Sequence, residues 1–117
     1  MSLIKRLKGN ESFSAATLAQ GIIHISGQVP DPEYTSIEEQ TKNVLEKIDK
    51  ILKELDSNKV ALLNANLFIK DLSDFAIVNQ IWNEWLGHHP RPARATIQAN
   101  LVNPNWLIEI SATAVQL

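Results

Sequence analysis

Between Pro92 and Leu117 the sequence carries two charged side chains, Arg94 and Glu109. Both fall inside stretches that otherwise read as buried β-strand, RATIQANL from Arg94 and NWLIEISATAVQL to Leu117. An arginine fork binds a carboxylate through two parallel hydrogen bonds. A carboxylate flanked by Ile108 and Ile110 is costly to bury unless it meets a cation, strong donors or solvent. The pair therefore admits two readings, a structural ion pair or a site in which each charge meets a partner from elsewhere.

Other residues offer less. His88 and His89 lie in GHHPRPAR, a proline-rich connection without an Asp, Glu or His partner at metal-ligand spacing. His24 reads as a strand residue with a satisfied imidazole. Ser26 precedes Gly27 without a Gly-x-Ser-x-Gly elbow, which argues against a serine nucleophile, although the Ser26 hydroxyl and the Gly27 amide could donate hydrogen bonds at a strand end. Trp82 and Trp85 are most simply core or interface bulk.

The elements that must position these groups follow from periodicity. TSIEEQTKNVLEKIDKILKELDSN opens on Thr35 or Ser36 three residues before Glu38 or Glu39, a capping box, and sets Val44, Leu45, Ile48, Ile51, Leu52 and Leu55 on one helical stripe ending near Asn58. SDFAIVNQIWNEWLG reads as a second helix, capped by Ser73 and stopped at Gly87. ATLAQGIIHISG predicts a hairpin turning at Gln20-Gly21, with Ile23 and Ile25 opposite Ile22, His24 and Ser26. VALLNANLFIK alternates through Leu63, Ala65, Leu67 and Ile69.

The last two strands are expected to form a closing hairpin through Val102-Asn103-Pro104-Asn105. That order implies an α+β fold, a mixed sheet with both helices packed on one face by right-handed crossovers. The uncovered face would carry the polar row Arg94, Thr96, Gln98 and Asn100. Pairing Leu101 with Trp106 puts Arg94 opposite Thr113 and Gln98 opposite Glu109, on one face and about 13 Å apart at about 3.3 Å per residue. A direct ion pair cannot span that distance, and a ligand carboxylate is a natural partner for Arg94.

Composition sets the outer bounds. The chain has 117 residues, 44% hydrophobic and 21% charged, which fits one domain over 1–117. A domain of this size leaves little surplus for a deep pocket, so a site between subunits is easier to build. Its lack of cysteine excludes disulfides and thiolate chemistry and fits a reducing compartment, with a cytoplasmic location expected. The charged start and short apolar runs show neither a signal peptide nor a membrane span. A net charge of −2 gives no basic field for nucleic acid, and the cluster Lys5, Arg6 and Lys8 reads as a solvated terminus.

Four motifs, ISGQVP (25–30), FIKDLSDFAIVN (68–79), PARATI (92–97) and LIEI (107–110), run through nearly the whole chain in order and resemble the Rid family, the reactive intermediate deaminases also called YjgF proteins. The resemblance implies a chorismate-mutase-like α+β fold, a homotrimer with its sheets facing inward, and three clefts between subunits. It implies that Arg94 grips the carboxylate of a 2-imino or enamine acid and that Glu109 positions a water against the imine carbon. Ser26, Gly27, Asn79 and Thr96 would line the cleft. Phe13 stands where active deaminases commonly carry a tyrosine, and so lacks that hydroxyl.

The leading expectation is hydrolysis of short-lived 2-imino acids to 2-keto acids and ammonia, a step of metabolite damage control that needs no cofactor or metal. The alternative is a sensor that holds a keto acid or another small carboxylate in the same clefts without turnover. RNA cleavage, also attached to the family, is disfavoured by the acidic balance and the lack of stacking aromatics beside basic residues.

Overall fold

The computed structural model describes residues 3–117. Six strands, β1 (Lys5–Leu7), β2 (Ala16–Ala19), β3 (Ile22–Gln28), β4 (Leu62–Ile69), β5 (Ala93–Gln98) and β6 (Ile108–Val115), form one mixed sheet in the order β1-β2-β3-β6-β4-β5. Helices α1 (Ile37–Glu54) and α2 (Phe75–Leu86) link β3 to β4 and β4 to β5. The α+β class is as the sequence predicts.

Local chemistry sets the element ends. Glu39 N donates to Ser36 Oγ at 3.1 Å while Ser36 N donates to Glu39 Oε1 at 3.4 Å, so the capping box forms at Ser36. The apolar stripe Val44, Leu45, Ile48, Leu52 and Leu55 is buried against the sheet, but α1 stops at Glu54, a few residues earlier than expected, because Asp56 turns to φ 56°. Gln20 and Gly21 both have positive φ, 51° and 76°, and turn the first hairpin as expected. Helix α2 ends at Gly87 with φ 58°, but Ser73 does not cap it: Ser73 N donates to Asp71 Oδ1 at 2.9 Å within a tight turn that precedes the helix. Short β1 also formed from the terminus read only as solvated.

The closing hairpin is not formed. β5 pairs in parallel with β4 at the sheet edge, and β6 inserts between β3 and β4, antiparallel to both. The reason is burial on alternate residues. Ile108, Ile110, Ala112 and Ala114 are all buried on the helix side of β6, a pattern that suits a central strand, whereas β5 has too few apolar side chains to occupy that position. A bulge in the β4–β6 pairing between Leu62 and Asn64 also reverses part of the predicted alternation, burying Leu62 and exposing Leu63.

The register moves the polar row as well. Arg94 pairs with Ala65 and Thr96 with Leu67, both of them core residues, so Arg94 and Thr96 face the helices and not the open side. At the edge the open side is instead formed by exposed Ala93, Ala95 and Ile97.

Candidate functional site

The sheet edge builds the first half of a site. Arg94 reaches from β5 to α2, where its Nη1 donates to Asn79 Oδ1 at 2.8 Å. Its guanidinium carbon lies 5.9 Å from the Phe75 ring centroid and 5.6 Å from that of Trp82. Such faces attract a cation by their quadrupole and hold the guanidinium plane, leaving its remaining donors for another partner. Two residues along the same face, Thr96 Oγ1 is buried without a hydrogen-bond partner. A buried hydroxyl left unpaired costs on the order of 1–3 kcal/mol, so it too is suited to a partner from outside the chain.

A second half lies across the sheet. A cleft of about 540 Å³ is lined by Asn10, Phe13, Ser26, Gly27, Val29, Val102, Trp106 and Glu109. Glu109 pairs with Phe68 and faces the open side of β6. Burial pushes its carboxyl above the ordinary glutamate value. Gly27 sits so close that an added Cβ would collide with Glu109 Oε2. This contact occurs where the β3–β6 register shifts between Ile25 and Gln28. The Ser26 hydroxyl donates to the Ser14 carbonyl at 2.6 Å, so its proton is committed and only its lone pairs remain for a ligand.

Within one chain, then, Phe13, Ser26, Gly27 and Glu109 gather in one cleft, and Arg94, Asn79 and Thr96 gather at the edge on the opposite face. The two charges do not share a face as the hairpin register predicted. Sequence reasoning also missed the arginine's aromatic platform and the cleft walls Val29, Val102 and Trp106; the i, i+7 spacing of Phe75 and Trp82 was the available signal for the first. His24 is a strand residue as expected, exposed on the open face, and no protein hydrogen bond to its ring is seen among the described residues. His88 and His89 are exposed, and no cluster of three or more potential metal ligands occurs among the described residues. Among those residues no helix is long and apolar enough to cross a membrane.

A mixed six-stranded sheet with two helices on one face, an arginine on the edge strand and a glutamate on a central one make an α+β protein whose candidate site is split between the two sheet faces. Comparison with known proteins gives the family. The family model described as endoribonuclease L-PSP matches residues 3–116. A RutC family protein of Haemophilus influenzae is 40% identical over 108 residues, covering 92% of this chain and 93% of that one. A crystal structure of a YjgF family member from Neisseria meningitidis superposes with a TM-score of 0.93 at 37% identity, over 97% of this chain and 95% of that one. The 3-aminoacrylate deaminase RutC of Acinetobacter baylyi is 33% identical over 108 residues, 87% of this chain and 85% of its own. The chain belongs to the YjgF/Rid family.

Proposed function

We propose that this protein hydrolyses 2-imino or enamine acids to 2-keto acids and ammonia, in clefts completed between the subunits of a homotrimer. The observation that carries the reading is the division of the site: an arginine with spare donors lies on one face, and a carboxyl with a raised pKa lies in a cleft on the other. The deaminase among the relatives supports the reaction class, since 3-aminoacrylate is itself an enamine acid. Exposed Ala93, Ala95 and Ile97 along the edge strand offer an apolar seam for a second copy.

In the assembled cleft Arg94 fixes the substrate carboxylate and Asn79 and the aromatic rings fix Arg94. Glu109 accepts a proton from water as the oxygen bonds to C2 of the iminium. The resulting carbinolamine takes a proton on nitrogen, the C–N bond breaks with its electrons leaving on ammonia, and the hydroxyl proton departs as C2–O becomes a carbonyl. Water in and ammonia out balance the step. Because the imine is already reactive, positioning supplies most of the acceleration.

One observation favours the sensor reading instead: Phe13 faces the cleft without a hydroxyl. Ammonia release from enzymatically generated iminopropanoate separates the two. Acceleration above the buffer rate supports the deaminase, and binding of keto acids without acceleration supports the sensor. In the second case Phe13→Tyr, by adding one oriented donor, should restore turnover, an effect that can reach about 10²-fold.

A further inference from the structure

Within one chain, before the edge of a neighbouring copy closes it, the Glu109 cleft is larger and more apolar than a three-carbon acid requires. Its volume of about 540 Å³ is in the range, roughly 300–1,000 Å³, of pockets that take drug-sized ligands. Its polar groups are concentrated at Ser26, Gly27 and Glu109, while Phe13, Val29, Val102 and Trp106 form the remaining walls. Asn10, the other lining residue, has its Oδ1 committed to its own loop, accepting from Ser12 N at 2.8 Å and from Phe13 N at 3.0 Å.

Backbone hydrogen bonds close the turns that carry two of those walls. Asn10 N donates to the Phe13 carbonyl at 3.0 Å, and a Cβ at Gly9 would collide with that same carbonyl, so the chain turns tightly beneath Phe13, which is 55% exposed on the cleft. Trp106 N donates to the Asn103 carbonyl at 3.0 Å and closes the turn that carries the opposite wall, beside Val102, which is 93% exposed. Single exposed apolar residues are ordinary; several lining a common cleft beside a carboxyl suit an apolar ligand group.

The geometry points to a substrate class: 2-imino acids with a bulky apolar side chain, branched aliphatic or aromatic, with Phe13, Val29, Val102 and Trp106 as the specificity-determining wall. This rests on the deaminase reading of the Glu109 cleft. Hydrolysis begins at C2 near Glu109, the carboxylate extends toward Arg94 of a neighbouring copy, and the side chain is left to occupy the apolar end.

The test compares imines generated in place by a flavin amino-acid oxidase with catalase, from leucine and phenylalanine against alanine and 2-aminobutyrate, reading kcat/KM for ammonia release. Wild type should favour the bulky imines at least about tenfold, since one methylene in an apolar pocket is worth roughly 10- to 200-fold. Trp106→Ala and Val102→Ser should each lower that ratio about tenfold; Val102→Ser, at an exposed loop position, keeps the test valid if Trp106→Ala does not fold. A ratio near one in wild type, a ratio moved by neither substitution, or loss of the oligomer in Val102→Ser would overturn the assignment, the last because the wall would then be an interface. If no imine is hydrolysed faster than in buffer, the deaminase reading fails by itself, and calorimetry decides the wall: 4-methyl-2-oxopentanoate should bind about tenfold tighter than pyruvate, with the preference reduced in Val102→Ser. Equal affinities, or no saturable binding of either acid, would overturn it.

Discussion

Arg94 and Glu109 lie on opposite faces of one sheet. Arg94 pairs with Ala65, which pairs with Ala112, while Glu109 is three positions before Ala112 on β6, so two strand spacings and three residue rises separate the two backbones. At about 4.8 Å per strand and about 3.3 Å per residue that diagonal is about 14 Å, with the sheet itself between the side chains. No three- or four-carbon acid can touch both within one chain. A ligand of that size that meets both must therefore bridge two chains.

Arg94→Ala should leave the fold intact and remove carboxylate binding. The guanidinium lies beside Asn79, Phe75 and Trp82 at the sheet edge, and Arg94 is not part of the buried hydrophobic core. Each charged hydrogen bond lost to the ligand is worth about 1.5–3 kcal/mol. Isothermal titration with pyruvate or 2-oxobutyrate checks this, and unchanged affinity would refute the assignment. Arg94→Lys keeps the charge but loses the fork, and should recover only part of the binding.

Gly27→Ala makes a narrower prediction. The added Cβ would collide with Glu109 Oε2 and crowd its Cγ at 3.1 Å, so the flexible carboxyl arm must move while the backbone stays. Thermal stability should change little and ammonia release should fall by about tenfold or more, since misplacement of a catalytic group by about 1 Å can cost 10²-fold. Wild-type turnover in a folded Gly27→Ala variant would show that Glu109 is not held in its working position here.

The contrast between what periodicity revealed and what it did not is physical. Both helices were legible because Ser36 with Glu39 and the stripe from Val44 to Leu55 act within a few residues of one another. The Gln20-Gly21 turn was legible for the same reason. The pairing of β5 and β6 was not, because Val102-Asn103-Pro104-Asn105 has turn chemistry equally compatible with a hairpin and with a connection passing to the other side of β4. What decided it was burial of β6 on alternate residues, a demand made by the whole core. A wrong neighbour for β5 reversed the assigned face of Arg94 and Thr96. The motifs named the candidate residues, but only the register showed which of them lie together within the chain.

Glu109 also gives a pH signature. Burial raises its folded-state pKa above the ordinary value of 4.5, so the folded chain holds the proton more tightly than the unfolded chain does. Its contribution to stability is therefore full below that ordinary value and is lost as pH rises through the raised one. Asp31 has the opposite sign: the Lys47 ammonium, 2.7 Å away, lowers its pKa, and that contribution is present above 3.8 and lost as pH falls through the depressed value. Urea titrations across this range should show Glu109→Gln gaining on wild type as pH rises toward neutrality, and Asp31→Asn losing. A constant difference between Glu109→Gln and wild type at every pH would mean that the carboxyl is solvated as in the unfolded chain.

The last prediction tests the division of the site directly. If a cyclic trimer joins the Arg94 edge of one copy to the Glu109 cleft of the next, its heterologous interface repeats that junction three times. Arg94→Ala and Glu109→Gln should then each be inactive alone. In a mixed trimer, one junction unites Arg94 of a Glu109→Gln chain with Glu109 of an Arg94→Ala chain, because whichever chain is in the minority supplies one intact half and receives the other. Every mixed trimer thus holds one complete cleft out of three and should show about a third of wild-type ammonia release. Coexpression with two different affinity tags, tandem purification and the ammonia assay measure it. Trimers that carry both tags and show no recovered activity would place the two residues in the same chain's site or leave Glu109 outside the chemistry, and dimers or monomers in solution would remove the junction altogether.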